Sequence, residues 1–225
     1  MSTKLFTFKG GIHPPHSKSF TQNVPIEDAP APEIVVIPLS QHIGAPCDPL
    51  VAVGDKVKVG QKIGESKAFV SAPVHASVSG TVKKIENRQV PGGAKVNSII
   101  IESDGKNEVH ESVQPKGKLE DLSKEDVLSI IKEAGMAGMG GATFPTHVKL
   151  SPPKDKPIDI LLVNGAECEP YLTADHRIML EKPELVLLGT KAVMKALGVN
   201  NAYICIENNK PDAIETLKQV VGNEE

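Results

Sequence analysis

Residues 135–150, GMAGMGGATFPTHVKL, set four glycines (Gly135, Gly138, Gly140 and Gly141) in seven positions and carry Lys149 near their end. Glycine loses more conformational freedom on folding than any other residue, so such a cluster marks main chain that must bend through φ > 0 or be approached closely. Successive amides without side chains can ring an anion, and Pro145 is suited to open a helix whose dipole adds to that attraction. Lys149 offers a mobile positive charge to a phosphate or to a reduced, anionic ring. The pattern is not the dinucleotide fingerprint GxGxxG, and no Gly-Lys-Ser/Thr follows it. A flexible joint is the alternative reading. The second stretch is NGAECEPYLTADHR, residues 164–177, with Asn164 ahead of two carboxylates, Glu167 and Glu169. For these carboxylates the plain readings are a solvated loop or a helix cap, for which Asp175 is the better candidate. Phe144 and Tyr171 offer rings for stacking, Phe144 equally a core ring. Cys168 has only backbone nearby to lower its pKa and reads as a small loop residue. His147 and His176 have no identifiable partner, and no side chain is assigned as acid or base. His13 and His16 are separated by two prolines that forbid helical ligand spacing, so no metal site is expected.

The elements that must position these residues follow from periodicity. In SKEDVLSIIKEAG, Ser123 and Asp126 have capping-box spacing, Val127, Ile130, Ile131 and Ala134 share one face, and Gly135 ends the helix. PIDILLV (157–163) and NAYICIE (201–207) are short apolar runs that predict buried strands. Between them Pro183 opens a helix that Gly198 stops. A last helix has Ile214, Leu217, Val220 and Val221 on one side. The order helix, glycine loop, strand, helix, strand, helix implies a parallel sheet with right-handed crossovers. In such a sheet ligands sit beyond the carboxyl ends of the strands, where 164–177 begins. Two strands make a poor sheet alone, so the expectation is a partial α/β domain over 123–225, incomplete at its C-terminus.

Four regions result: an extended proline-rich arm (1–32), a β-rich domain (33–104), a charged linker (105–122) and the α/β domain (123–225). Within 33–104, VAVGDKVKVGQKIGES and APVHASVSGTVKKI resemble the two halves of the lipoyl/biotinyl barrel-sandwich hybrid fold. In carrier domains of that fold a hairpin between the halves presents a modified lysine. Lys67 stands in the matching stretch, but the segment is short for a presenting hairpin, so Lys67 is expected to be an ordinary surface lysine.

GMGGATFPTHVK followed by LLVNGAECEPYLTADHR resembles the FMN-binding core of the flavoprotein subunit of respiratory complex I. With FKGGIHPPHSK and the barrel-sandwich insert, nearly the whole chain resembles the RnfC family, peripheral subunits of the Rnf ion-translocating electron-transport complex. The resemblance implies a barrel-sandwich hybrid domain followed by a partial Rossmann-like FMN-binding α/β domain. It implies FMN as cofactor, with Gly138, Gly140, Gly141, Lys149, Asn164, Glu167 and Glu169 as binding residues, the two glutamates toward the nicotinamide amide or ribose hydroxyls. Met139 and Ala166 stand where the flavoprotein of complex I has arginine and aspartate. It further implies NADH as hydride donor and [4Fe-4S] clusters in a C-terminal part beyond this chain, without which the fragment is expected to be inactive. The other Rnf subunits are the implied partners, at the cytoplasmic side of the membrane. A non-catalytic docking role in the same complex is the competing expectation, a lipoyl-type carrier the third.

Composition narrows the classes. A net charge of −3 gives no basic excess to displace counterions, which argues against nucleic-acid binding. Cys47, Cys168 and Cys205 are widely spaced and odd in number, as in reduced thiols, and no Cys-x-x-Cys is present to hold a cluster or zinc. The most apolar runs, IVVIPL and ELVLLG, are far too short to span a bilayer, so no direct membrane insertion is expected.

Overall fold

The computed structural model describes residues 10–12 and 14–222; His13 lies outside the described residues. It divides into two compact units, Ala29–Pro157 and a second that joins the segment up to Asp28 with the chain from Ile158 onward. The packing therefore divides the chain after Pro157, not within 105–122, and assigns the glycine loop to the β-rich unit.

In that unit β1 (Ile34–Pro38), β2 (Asp48–Pro49), β3 (Lys56–Val57), β4 (Lys62–Glu65), β5 (Val74–His75), β6 (Gly80–Gln89) and β7 (Lys95–Ser103) form two antiparallel sheets. Their orders are β1-β7-β6-β3 and β2-β4-β5. Strand alternation turns Ile37, Val57, Ile63, Val74, Val82, Ile99 and Ile101 inward, so both sheets contribute to one buried core. Each such side chain contributes about 1.5–3 kcal/mol by leaving water. The residues between β4 and β5 form an irregular loop on which Lys67 is exposed.

Helix α1 (Lys124–Glu133) starts at the expected capping box: Ser123 accepts from the Asp126 N–H, and Asp126 accepts from the Ser123 N–H. Val127 and Ile131 are its buried face. Gly135 ends it at φ 66, and a Cβ there would collide with the Pro73 carbonyl. That close approach seats the end of α1 on the barrel. Lys62 reinforces it with a 2.6 Å ion pair to Glu133. The glycine loop then leads into the single turn α2 (Thr146–Lys149).

The second unit contains β8 (Ile160–Gly165), α3 (Ala174–Glu181), α4 (Pro183–Leu197), β9 (Asn201–Ile206) and α5 (Pro211–Val221). β8 and β9 are parallel and in register from Ile160↔Asn201 to Gly165↔Ile206. Pro183 begins α4 and Gly198 ends it at φ 73, as the sequence predicts. Helix α3 is absent from the expected order of elements, where Asp175 stood only as an alternative cap; Thr173, immediately before the helix, makes no side-chain cap bond. Met179 of α3 and Ala213 and Leu217 of α5 form the core, with Ile204 and Ile206 packed on it. The expectation that both strands are buried is corrected: the helices cover one face, and Ile160, Leu162 and Tyr203 on the other are 49%, 65% and 59% exposed.

The described residues of the arm up to Asp28 belong to this second unit. Its residues 18–20 make one 3-10 turn, the Tyr171 N–H donates to the His16 carbonyl, and Arg177 donates to the Gln22 carbonyl. Among the described residues no helix is long and apolar enough to cross a membrane.

Candidate functional site

Two segments carry the candidate residues, and each is held by its own unit. Gly138, Gly140, Gly141 and Lys149 lie in the β-rich unit; Asn164, Glu167 and Glu169 lie in the α/β unit.

The glycine loop is closed at its base. Ala137 and Pro145 form an antiparallel bridge, the Gly138 N–H donates to the Phe144 carbonyl (2.9 Å), and the Thr146 N–H donates to the Met136 carbonyl (2.9 Å). The Thr143 N–H closes the tip on the Gly140 carbonyl, and the Ile43 N–H donates to the Thr143 carbonyl from the barrel side (3.2 Å). Among the described residues nothing accepts from the N–H groups of Met139, Gly140, Gly141 or Ala142. A Cβ at Gly140 or Gly141 would meet no atom within 4 Å, and neither residue has positive φ. Packing and backbone strain therefore do not explain these two glycines. Their amides lack an acceptor and the space where a side chain would stand is empty, an arrangement able to receive an anionic group. Met139 is 97% exposed at the tip, and Lys149 is exposed on α2.

His147 anchors α2 underneath. It is buried, donates from Nε2 to the Phe69 carbonyl (3.2 Å) and meets the Phe69 ring edge-on. Its Nδ1 has no partner among the described residues. Burial holds this imidazole below its ordinary pKa, against the pull of the Phe69 carbonyl, with Lys132 and His42 adding to the depression.

The acidic turn leaves the carboxyl end of β8, as expected. The Asn164 side-chain oxygen accepts from the Ala166 N–H (3.1 Å), which bends the chain off the strand. Glu167 is buried at φ 53, and its carboxylate accepts from the Asp175 N–H (2.6 Å) and the His176 N–H (3.3 Å) at the start of α3. Glu167, and not Asp175, is thus the cap of α3, a remote one that local sequence spacing does not reveal. Its second tie is Lys18 at 3.9 Å. Glu169 and Cys168 are exposed beside it, and Cys168 Sγ donates to Glu169 at 3.8 Å. Tyr171 stacks on Phe20 of the arm at 6.4 Å between ring centroids. His176 acquires a partner that the sequence left unidentified: its Nε2 reaches the Asp212 carboxylate at 2.9 Å. Burial opposes ionisation of Asp212, but the His176 bond and the Ala213 N–H outweigh it and hold this carboxyl below its usual range.

Sequence reasoning missed Lys18 and Lys210. Both are buried, at 7% and 2% exposure, and both donate to carbonyls of the acidic turn. A lysine in a polar arm carries no sequence mark of burial. Among the described residues no group of three His, Cys, Asp or Glu side chains is placed to hold a metal ion.

Known protein families match both parts of the chain. Residues 6–106 match the RnfC barrel sandwich hybrid domain, and residues 131–225 match the Nuo51 FMN-binding domain. A barrel-sandwich hybrid followed by an FMN-binding domain is the class these matches define. The chain belongs to the RnfC family. Over 224 residues it is 51% identical to the C subunit of the Na(+)-translocating ferredoxin:NAD(+) oxidoreductase complex of Acetobacterium woodii, covering all of this chain and 51% of that protein. It is 53% identical over 215 residues to the C subunit of the proton-translocating ferredoxin:NAD(+) oxidoreductase complex of Clostridium ljungdahlii, covering 96% of this chain and 47% of that one. It is 40% identical over 214 residues to the C subunit of an ion-translocating oxidoreductase complex of Rhodobacter capsulatus, covering 94% and 41%. The chain spans about half the length, or less, of these curated relatives.

Proposed function

We propose that this chain is the flavin- and nicotinamide-handling portion of an electron-transfer subunit in a membrane-bound, ion-translocating Rnf-type complex, working from the cytoplasmic face. The observation that carries the reading is the arc of acceptor-free amides from Met139 to Ala142, in which Gly140 and Gly141 face open space.

In this reading the amides of Gly140 and Gly141 hold the phosphate of FMN, and Lys149 adds a positive charge; Gly138 contributes only by closing the base of the loop, because its N–H is spent on the Phe144 carbonyl. The parallel β8–β9 pair is the beginning of a Rossmann-like sheet, and its carboxyl edge carries the acidic turn. There Asn164 and Glu169 are exposed and available to hydrogen-bond ring or ribose groups. Glu167 acts indirectly, because its carboxylate is committed to the start of α3. FMN, when bound, would supply hydride acceptance from NADH and one-electron release toward [4Fe-4S] clusters outside this chain. The chain's own contribution is binding and alignment, with no side-chain proton transfer needed.

The test is titration of FMN with the purified chain, followed by flavin fluorescence. Saturable quenching supports the reading. Unchanged fluorescence, with native mass spectrometry of the assembled complex showing no flavin on this subunit, favours the competing reading of a docking role.

A further inference from the structure

Two loops of the barrel touch the glycine loop and the turn after it, and each brings an exposed apolar side chain. The Ile43 N–H donates to the Thr143 carbonyl (3.2 Å), and the Phe69 carbonyl accepts from His147 Nε2 (3.2 Å). The two barrel loops are also fixed to one another. The Ala45 N–H donates to the Val70 carbonyl (3.0 Å), and a Cβ at Gly44, at φ 116, would strike that same carbonyl. Ile43 and Phe69 nevertheless remain exposed, Phe69 to 64%, and Met136 and Met139 are exposed on the glycine loop itself. All four belong to the β-rich unit.

Packing within the chain does not account for this collar. The Phe69 ring meets the His147 ring at 5.9 Å between centroids and 86° between planes, and most of the residue stays in water. Phenylalanine contributes most when its large apolar surface is buried, so a firmly held loop that displays one forgoes that gain. A single exposed apolar residue needs no explanation, but four gathered about one loop do.

The neighbouring amides supply the explanation. The acceptor-free N–H groups from Met139 to Ala142 can take an anion. A nucleotide joins its phosphate to a planar ring by no more than a sugar or ribityl chain. Once the phosphate is seated, the ring must rest on surface close by. An uncharged, partly aromatic wall that is already in place suits the face of such a ring.

We infer that Phe69, flanked by Ile43, is the ring-stacking residue for a nucleotide whose phosphate lies on the glycine loop, so that the barrel-sandwich unit supplies one wall of the ligand site. This rests on the function proposed above. The ligand chemistry is a planar heteroaromatic ring joined to a phosphate, which FMN and the adenylate half of NADH share.

The experiment titrates FMN and, separately, AMP into the wild-type chain, Phe69→Ala and Phe69→Tyr by calorimetry. In parallel, the Met139–Ala142 amide shifts of the 15N-labelled chains are followed with each nucleotide and with inorganic phosphate alone. Phe69→Ala should weaken one nucleotide about tenfold, the size of a lost stacking contact, and so identify the ring. Phe69→Tyr should restore that affinity, and the loop response to inorganic phosphate should be the same in all three chains. If FMN moves the loop amides but neither nucleotide is weakened by Phe69→Ala, the stacking role is refuted and the cofactor reading stands. If a nucleotide binds in a Phe69-dependent way while the loop amides ignore it, the stacking role stands and the phosphate assignment fails. Loss of the inorganic phosphate response in Phe69→Ala would show that the ring only props the turn under the loop, which overturns the inference. A wild-type chain that binds neither nucleotide overturns it too. Should Phe69→Ala not fold, Phe69→Leu, which keeps apolar bulk without the ring, gives the same reading.

Discussion

His147 donates from Nε2 to the carbonyl of Phe69 across 3.2 Å, which fastens the turn after the glycine loop to an irregular loop of the barrel. With the Ile43–Thr143 bond and the Lys62–Glu133 pair, it makes the barrel a pedestal for that loop. This explains why the packing boundary falls after Pro157: a loop of bare amides has no side chains to fix its own shape, so neighbours must fix it.

That tie predicts a pH dependence. Burial depresses the pKa of His147, and of His75, where Lys62 adds to the effect, below the 6.5 expected for the unfolded chain. As pH falls the unfolded state therefore takes up protons first. Stability is full above about 6.5 and declines as pH drops through that value toward the lower folded pKa values. Urea unfolding between pH 8 and 5 should show this decline, and His147→Gln should flatten it. An identical slope in the variant would remove His147 as the source.

Gly135 and Gly140 serve different ends and should separate fold from ligand. Gly135 sits at φ 66 against the Pro73 carbonyl, so Gly135→Ala forces both strain and collision and should cost about 2 kcal/mol or more. Gly140 has neither positive φ nor a neighbour within 4 Å. Gly140→Val should leave the urea midpoint almost unchanged, about 0.5 kcal/mol or less, yet abolish flavin quenching by filling the space beside the amides. A valine variant that still quenches FMN would show that nothing lies against this backbone.

These residues also show what the sequence could and could not disclose. The capping box at Ser123, the stop at Gly198 and the start at Pro183 were legible because the relevant spacing is local. Helix α3 was not, because its cap, Glu167, sits seven residues before its first residue, Ala174, and folds back to meet it. The burial of Lys18 was equally hidden: its partners, Glu167 and Leu172, lie about 150 positions away and are backbone carbonyls, which no side-chain pattern can signal. The strands were legible as strands, but their apolar composition concealed that one face lies open.

Glu167 and Glu169 are two residues apart and should behave oppositely. Glu167→Gln removes the charge from the cap of α3 and from Lys18 in a buried setting, and should destabilise by about 1–3 kcal/mol in urea unfolding. Glu169 is exposed, so Glu169→Gln should shift stability by no more than about 0.5 kcal/mol. Its effect should appear instead as weaker binding of nicotinamide mononucleotide by calorimetry. If both variants unfold alike, the capping role of Glu167 is wrong.

The open face of the two-stranded sheet yields the sharpest contrast between neighbours. Side chains alternate along β9, so Tyr203 and Ile204 point to opposite faces. Tyr203 is 59% exposed, whereas Ile204 packs on Met179, Ala213 and Leu217. Tyr203→Thr keeps a residue suited to a strand and gives up little burial, so it should change stability by about 0.5 kcal/mol or less. Ile204→Ala removes methyl groups from the packed face and should cost about 2–4 kcal/mol. Urea titrations of the two variants against wild type measure both numbers directly. Equal losses would mean that Tyr203 is covered in solution, for example by association of two open faces, and sedimentation of the wild-type chain would then show a species heavier than the 23.9 kDa monomer.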